Sequence, residues 1–303
     1  EANKVGLDTA FMVSLFDDHV ITSLQNIVAA ARNNLEHGSV VHTYEVSASG
    51  RYYASGVSLQ NAPRKVRRIA LSGCWDYDFE NCHYTIVFQL AEKLGIACPT
   101  IGDYLANKKA VRQQLAEETG VPEIGIKKAL MGLIYGAKAS LRPQDAIPKF
   151  FIEVLESEEK GLEAARKLYA SKTFLGLVED LRPARKAILR GCKETERSII
   201  NACGLPMSKK ETPEKKMAHL LQGIEGRALQ VVISELGEKV ALLMHDGWVC
   251  RRKLTAAEGL KLADKMESVT GIRFGIASEK LTPSKQERKD ITAGHTRDTS
   301  TSQ

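Results

Sequence analysis

WDYDFENCHYTIVFQLA, residues 75–91, is the stretch on which the reading of this chain turns. With the residues before it, RRIALSGCWDYD (67–78) reads as a strand ending in acids, and the apolar spacing that follows predicts a helix from about 80 to 94. Side chains alternate along a strand, so Asp76 and Asp78 project from the same face and both can approach one metal ion. A third acid lies far away in sequence. VALLMHDGWVCRR (240–252) predicts a hairpin whose turn holds His245, Asp246 and Gly247. Taken singly, an Asp-Gly in a turn or a D-x-D at a strand end is an ordinary structural feature. The chemistry rests on which segments accompany them, and in what order.

Working outward, VVHTYEVSASGRYYAS (40–55) predicts a hairpin around Ser-Ala-Ser-Gly, and 8–36 carries apolar residues at helical spacing. TIGDYLANKKAVRQQLAEETG (100–120) predicts a helix ending at Gly120, and IKKALMGLIYGAK (126–138) one with lysines at its start. Charged amphipathic helices dominate 149–200, and KMAHLLQGIEGRALQVVISELGEK (216–239) reads as one long helix. A helix over 255–269 and a strand over 272–278 (IRFGIAS) follow, and the apolar-poor KQERKDITAGHTRDTSTSQ (285–303) is expected to be disordered.

The 303 residues, 43% of them hydrophobic, are enough to bury a sizeable core. Lys and Arg exceed Asp and Glu by 43 to 37, a mild excess that by itself indicates no partner. Its distribution does: PRKVRR (63–68), Lys108-Lys109, Lys127-Lys128, MSKKETPEKK (207–216) and RRK (251–253) suit contacts to several phosphates. The six cysteines form no C-x-x-C pair, so neither a zinc site nor a disulfide framework is expected. No run approaches the roughly 20 apolar residues that span a bilayer. The expectation is a cytoplasmic protein without a membrane partner.

In order along the chain, these segments resemble the family A DNA polymerases and the related single-subunit, phage-type RNA polymerases, over about residues 50–280. SGRYYASGVSLQNAPRKVRRIAL is similar to the arm that grips template and primer, matching at Gly50, Arg51, Ser55, Leu59, Gln60, Asn61, Pro63 and Arg67 or Arg68. WDYDFENCHYTIVFQLA resembles the first metal-binding motif. Asp76 matches it directly and Asp78 matches when the register slides by two, leaving both open. IKKALMGLIYGAK resembles the fingers-helix motif, with Lys127, Met131 and Tyr135 along one face, followed by Gly136. The family's further Arg is Glu123 here, so Arg112 or Lys128 is the expected substitute on the triphosphate. LLQGIEGRALQVVISEL matches a Q-G helix at Gln222 and Gly223, and Met244-His245-Asp246 matches the last metal-binding hairpin, with Gly247 where the DNA enzymes carry Glu.

The resemblance implies an α+β right-hand polymerase: an antiparallel palm sheet from the 40–78 and 240–252 strands with helices, mostly helical fingers, no exonuclease domain and little or no thumb. Residues 1–100 would hold N-terminal helices and the first part of the palm, 101–215 the fingers, and 216–284 the second part of the palm. Two magnesium ions, with manganese as a substitute, would sit on Asp76, Asp78 and Asp246. Lys127, Lys128, Met131, Tyr135, Gly136, Asn81 and His83 would face a nucleoside triphosphate. Arg51, Gln60, Asn61, Arg67, Arg68, Gln222 and His245 would face template and primer. If Asp76 is the ligand, Asn81 stands where the DNA enzymes keep the Glu that excludes a ribose 2′ hydroxyl. DNA-templated DNA synthesis is expected. RNA or primer synthesis, or an inactive nucleic-acid-binding module, are the alternatives, in the setting of a virus or mobile element and with an upstream thumb-like domain as a further partner.

Overall fold

A computed structural model describes residues 18–33 and 40–282. The remainder of the helical segment expected over 8–36, and the tail at 285–303, lie outside the described residues. The elements in order are α1 (Asp18–Asn33), β1 (Tyr44–Val46), β2 (Tyr52–Ala54), α2 (Arg64–Ala70), β3 (Trp75–Phe79), α3 (Cys82–Lys93), α4 (Pro99–Ala106), α5 (Lys108–Thr119), α6 (Glu123–Tyr135), α7 (Ala146–Leu155), α8 (Glu158–Ala170), α9 (Lys172–Gly191), β4 (Ser198–Ile200), β5 (Pro206–Ser208), α10 (Pro213–Leu236), β6 (Val240–Leu243), β7 (Gly247–Cys250), α11 (Ala256–Thr270) and β8 (Ile276–Lys280). The fold is α+β, an antiparallel sheet among many helices.

The central sheet has the order β6-β7-β3-β8, antiparallel throughout. Its two faces follow from the alternation in WDYDF. Tyr77 pairs with Trp248 across the β3–β7 ladder, their rings stacked with centroids 5.4 Å apart. Phe79 packs on Trp248 and on Phe274. This aromatic face joins the main core with Ile86 and Val87 of α3 and Leu221, Leu229 and Val232 of α10. Asp76 pairs with Val249, so the acids occupy the opposite face, where Val249 and Leu242 meet Val66 of α2 and Ile27 of α1.

Four expectations need correction. Residues 67–70 are helical rather than extended, with Leu71 as the cap: Pro63 precedes a run of good helix formers, and Val66 is the buried residue that seats α2 on the sheet. β3 begins only at Trp75. The 40–55 hairpin is a separate two-stranded sheet, because β8 holds the place beside β3 from Trp75↔Lys280 to Phe79↔Ile276. That strand starts at Ile276, later than the 272–278 reading. The 100–120 helix breaks at Asn107 into α4 and α5, and the basic run at 207–216 includes β5, half of a small hairpin with β4.

Two glycines set close approaches. A Cβ on Gly247 would lie 2.2 Å from the Tyr77 carbonyl oxygen, so β7 can begin beside β3 only without a side chain. A Cβ on Gly226 of α10 would lie 2.3 Å from the carbonyl oxygen of Gly50, whose own φ is +97°. The turn of the β1–β2 hairpin therefore rests on the backbone of α10. Asn201, from the β4–β5 turn, locks the arrangement by donating to the Ser49 carbonyl at 2.9 Å and accepting from the Cys203 and Leu205 amides.

Candidate active site

Asp78, next to last in β3, stands opposite Gly247 on one side and Ala277 on the other. The carbonyl of Asp246, in the turn before β7, accepts from the Phe79 amide at 3.0 Å. Two acids distant in sequence thus meet at one end of the sheet. They line a cavity of about 150 Å³ together with Lys127 and Met131 of α6, Arg112 and Lys108 of α5, and Arg51, His83 and Glu225. Asp76 lines no part of it. Two residue pairs along the ladder, it lies under the charge of Arg67 and Arg64 from α2, with Glu279 of β8 beside it.

The carboxylates are mutually unfavourable as they stand. Asp78 reaches solvent through the cavity, yet crowding by protein raises its pKa to about 7; Asp246 and Asp76 add to the rise, and Lys127 and Lys108 oppose it. Asp76 is also raised, by loss of water first, with Glu279 and Asp246 adding and Arg67 opposing. Hard oxygen donors gathered where desolvation first, and neighbouring carboxylates second, disfavour their charge are a donor set suited to a hard divalent cation. Gly247 adds no third carboxylate, since any side chain there meets Tyr77.

Beneath the cavity runs a polar chain that the sequence did not suggest. Arg51 grips Glu225 through Nε at 2.6 Å and Nη2 at 3.0 Å. His83 Nε2 lies 2.9 Å from the other side of the same carboxylate, an ion-pair contact without hydrogen-bond alignment. On the far side of the imidazole, Nδ1 is hydrogen-bonded to the Tyr135 hydroxyl at 2.7 Å. Burial raises the pKa of that hydroxyl to about 12, opposed by the charge of Arg51 and by Gln222, about one turn before Glu225. Burial alone would push the Glu225 carboxyl up, but His83 and Arg51 hold it below the usual range. Burial would likewise lower Arg51, and the Glu225 bond outweighs that, holding it above its ordinary value. Cys82, His83 and Glu225 bring ligand-type atoms within 4.8 Å of one another. The Arg51 guanidinium already sits on both Glu225 oxygens, so the positive charge that balances this carboxylate is supplied by the chain itself.

The other sequence-selected residues divide by position. Asn81 lines the cavity, in a left-handed conformation (φ +48°) at the start of α3, and accepts from Arg112 at 3.4 Å. Lys128 turns away, its Nζ 5.9 Å from the Phe150 ring centre. Gly136 ends α6 with φ +111°, against Arg185. Gln60 is buried, its amide accepting from Ala54 and donating to the Tyr52 and Leu243 carbonyls, so it ties the hairpin to β6. Asn61 is exposed and reaches the Ala54 carbonyl at 3.4 Å. Arg67 donates to the Ala62 carbonyl at 2.6 Å, and the Nε of Arg68 is buried without a partner. His245 packs on Tyr53 with ring centres 4.6 Å apart. Among the described residues no helix is long and apolar enough to cross a membrane.

No protein-family model matches the chain. It is 26% identical over 188 residues to a putative helicase, V13, of the Sputnik virophage, an alignment covering 58% of this chain and 24% of that protein. In three dimensions it is similar to the POL domain of Pol1 from M. smegmatis, solved in complex with DNA primer-template and dNTP. The match has a TM-score of 0.54 at 16% identity and covers 94% of this chain and 52% of that one. The chain thus spans about half of the solved relative and about a quarter of the curated one. At that identity the structural likeness establishes a shared polymerase-type architecture.

Proposed function

We propose that the chain is the palm-and-fingers core of a template-directed nucleic-acid polymerase, with the sheet and α10 as palm and the helices from α4 to α9 as fingers. The observation that carries this reading is the meeting of Asp78 and Asp246, from separate strands, in a cavity walled by Lys127 and Met131 of a single helix. Phosphoryl transfer needs negative charge neutralised and an attacking oxygen aligned, with little covalent work for the protein. Asp78 and Asp246 would hold the magnesium ions, or manganese in their place, which when bound supply Lewis-acid neutralisation of the phosphates. Lys127 faces the phosphate next to the reacting bond, and Met131 and Tyr135 lie along the same helix to meet the base. His245 and Arg51, from the hairpins flanking the sheet end, face the primer terminus.

Sugar choice falls to His83 on this reading. With Asp78 as the ligand, the position where the DNA enzymes carry their sugar-excluding Glu is His83, not Asn81. Its imidazole is fixed between Tyr135 and Glu225. A bulky, immobile side chain there favours deoxyribonucleotides. His83→Ala is therefore expected to improve ribonucleotide use relative to deoxyribonucleotide use by about tenfold, measured as the ratio of kcat/KM values. An unchanged ratio in a folded variant removes His83 from sugar selection.

The deciding experiment is extension of a labelled primer–template in magnesium, with dNTPs and NTPs supplied separately, for the natural chain and Asp246→Ala. Extension with dNTPs that disappears in the variant supports DNA synthesis. Preference for NTPs turns the reading to RNA or primer synthesis. Absence of extension with either set overturns the polymerase proposal.

A further inference from the structure

The cavity holds more positive charge than one lysine, and much of it comes from α5. Lys108 and Arg112 lie four residues apart on α5, so both face the same way, and both line the cavity beside Asp78 and Lys127. The Arg112 fork is held ready: its Nε and Nη2 donate to the Tyr104 hydroxyl at 3.0 and 2.6 Å, and its charge lies 5.6 Å from the Tyr104 ring centre. Among the described residues none of its hydrogen bonds engages Nη1. Among the same residues the ion-pair partner of Lys108 is a loose one, the half-exposed Glu80 carboxylate at 3.7 Å. α6 itself opens with an acid, Glu123, and its second lysine, Lys128, points to Phe150.

The cavity does not end at these residues. Glu80, Asn81 and Lys108 also border an adjoining open groove of about 590 Å³, which Lys109 and Asn107 continue. A path lined by cations therefore leads from the paired carboxylates to solvent alongside α5.

We propose that Lys108 and Arg112 form the subsite for the terminal phosphates of the incoming nucleoside triphosphate, and that the groove past Lys109 is the route by which pyrophosphate departs. The assignment rests on the polymerase reading for its substrate, but its physical content is a polyphosphate site. Lys127 and the subsite divide the work: Lys127 neutralises charge next to the reacting phosphorus, and α5 holds the leaving portion. A fixed guanidinium matches the oxygens of a terminal phosphate, and the flexible lysine follows the group as it moves out.

The test is calorimetric binding of inorganic tripolyphosphate to the full chain, for the natural protein, Lys108→Ala, Arg112→Ala and Lys167→Ala, the last an exposed lysine on α8 far from the groove in sequence. Each subsite variant is expected to weaken binding about tenfold, as loss of a charge-assisted contact does, with Lys167→Ala unchanged. In primer extension the same two variants are expected to raise KM for the nucleotide by a similar factor, with a smaller effect on kcat. Thermal melts check folding: Lys108→Ala should match the natural chain, and Arg112→Ala is expected to melt somewhat lower because it leaves the hydroxyl of buried Tyr104 without its donors, so the Lys108 variant carries the test. Tripolyphosphate that fails to bind the natural chain, or that binds both subsite variants as tightly, overturns the proposal. Binding that depends on Lys108 and Arg112 in a chain that extends no primer preserves the subsite and overturns only the polymerase reading.

Discussion

Asp78→Asn is expected to lower single-nucleotide incorporation by at least about a thousandfold in kcat/KM, whereas Asp76→Asn is expected to retain more than a tenth of the activity. The asymmetry follows from position. Asp78, next to last in its strand, lines the cavity with Asp246, and Asp76 is directed at Arg67 and Arg64. A thousandfold loss corresponds to ~4 kcal/mol of transition-state stabilisation, within what a metal-holding carboxylate provides. The reverse ranking in folded variants would return the ligand role to Asp76. A pH signature accompanies it in chelator. An ordinary Asp releases its proton near 3.8, but folded Asp78 keeps it to about 7. Between those values the folded state binds more protons than the unfolded state, so this residue makes stability fall as pH rises through the window. Melting at pH 5 and pH 8 should show the decline in the natural chain and a shallower one in Asp78→Asn.

Glu225→Ala is expected to destabilise the fold by about 3–5 kcal/mol, the cost of stripping a buried charge of its partner. Arg51 and His83 both lose the carboxylate; His83 is buried, and Arg51 keeps only 17% of its side chain exposed. The midpoint of urea unfolding measures the loss. A double variant, Glu225→Leu with Arg51→Met, should recover much of it, because removing both members of a buried pair costs far less than removing one. If the single and double variants are equally destabilised, the pair is not the reason for the loss. Glu225 is held below its ordinary pKa, so its contribution is present above about pH 4.5 and fades as pH falls below that.

Much of the site was legible because its residues report themselves locally. The alternation of WDYDF gives the strand, its two faces and the shared direction of Asp76 and Asp78. The four-residue spacing of Lys127, Met131 and Tyr135 gives a helix face, ended at Gly136 as expected. What the sequence left open was depth along the strand. Choosing Asp78 required knowing that β7 begins at Gly247 and that α2 sets Arg67 beside Asp76, both products of tertiary packing. Glu225 was missed although it carries a signal: an acid one turn after Gln222 within the otherwise apolar run LLQGIEGRAL. Its partner, Arg51, is 174 residues away, and no local pattern links them. The stretch at 67–70 was misread because apolar residues after Arg68 suit a strand as well as a short helix, and Pro63 was weighed too little as a helix start.

The contact between Gly50 and Gly226 reaches beyond packing. It makes the backbone of α10 the reference from which two distances are measured: one to Arg51, carried by the hairpin, and one to Glu225, carried by the helix. A methyl group on Gly226 would overlap the Gly50 carbonyl, and one on Gly50 would meet the Cys203 Sγ at 2.7 Å from a backbone conformation that side chains rarely adopt, so either forces the hairpin to shift and mis-sets Arg51 against Glu225. Misplacement of about 1 Å remote from the chemistry can cost a hundredfold in rate. Alterations at these two glycines should therefore cost stability and the alignment of Arg51 with Glu225 together, so that one substitution far from the carboxylates disturbs both the scaffold and the candidate site it carries.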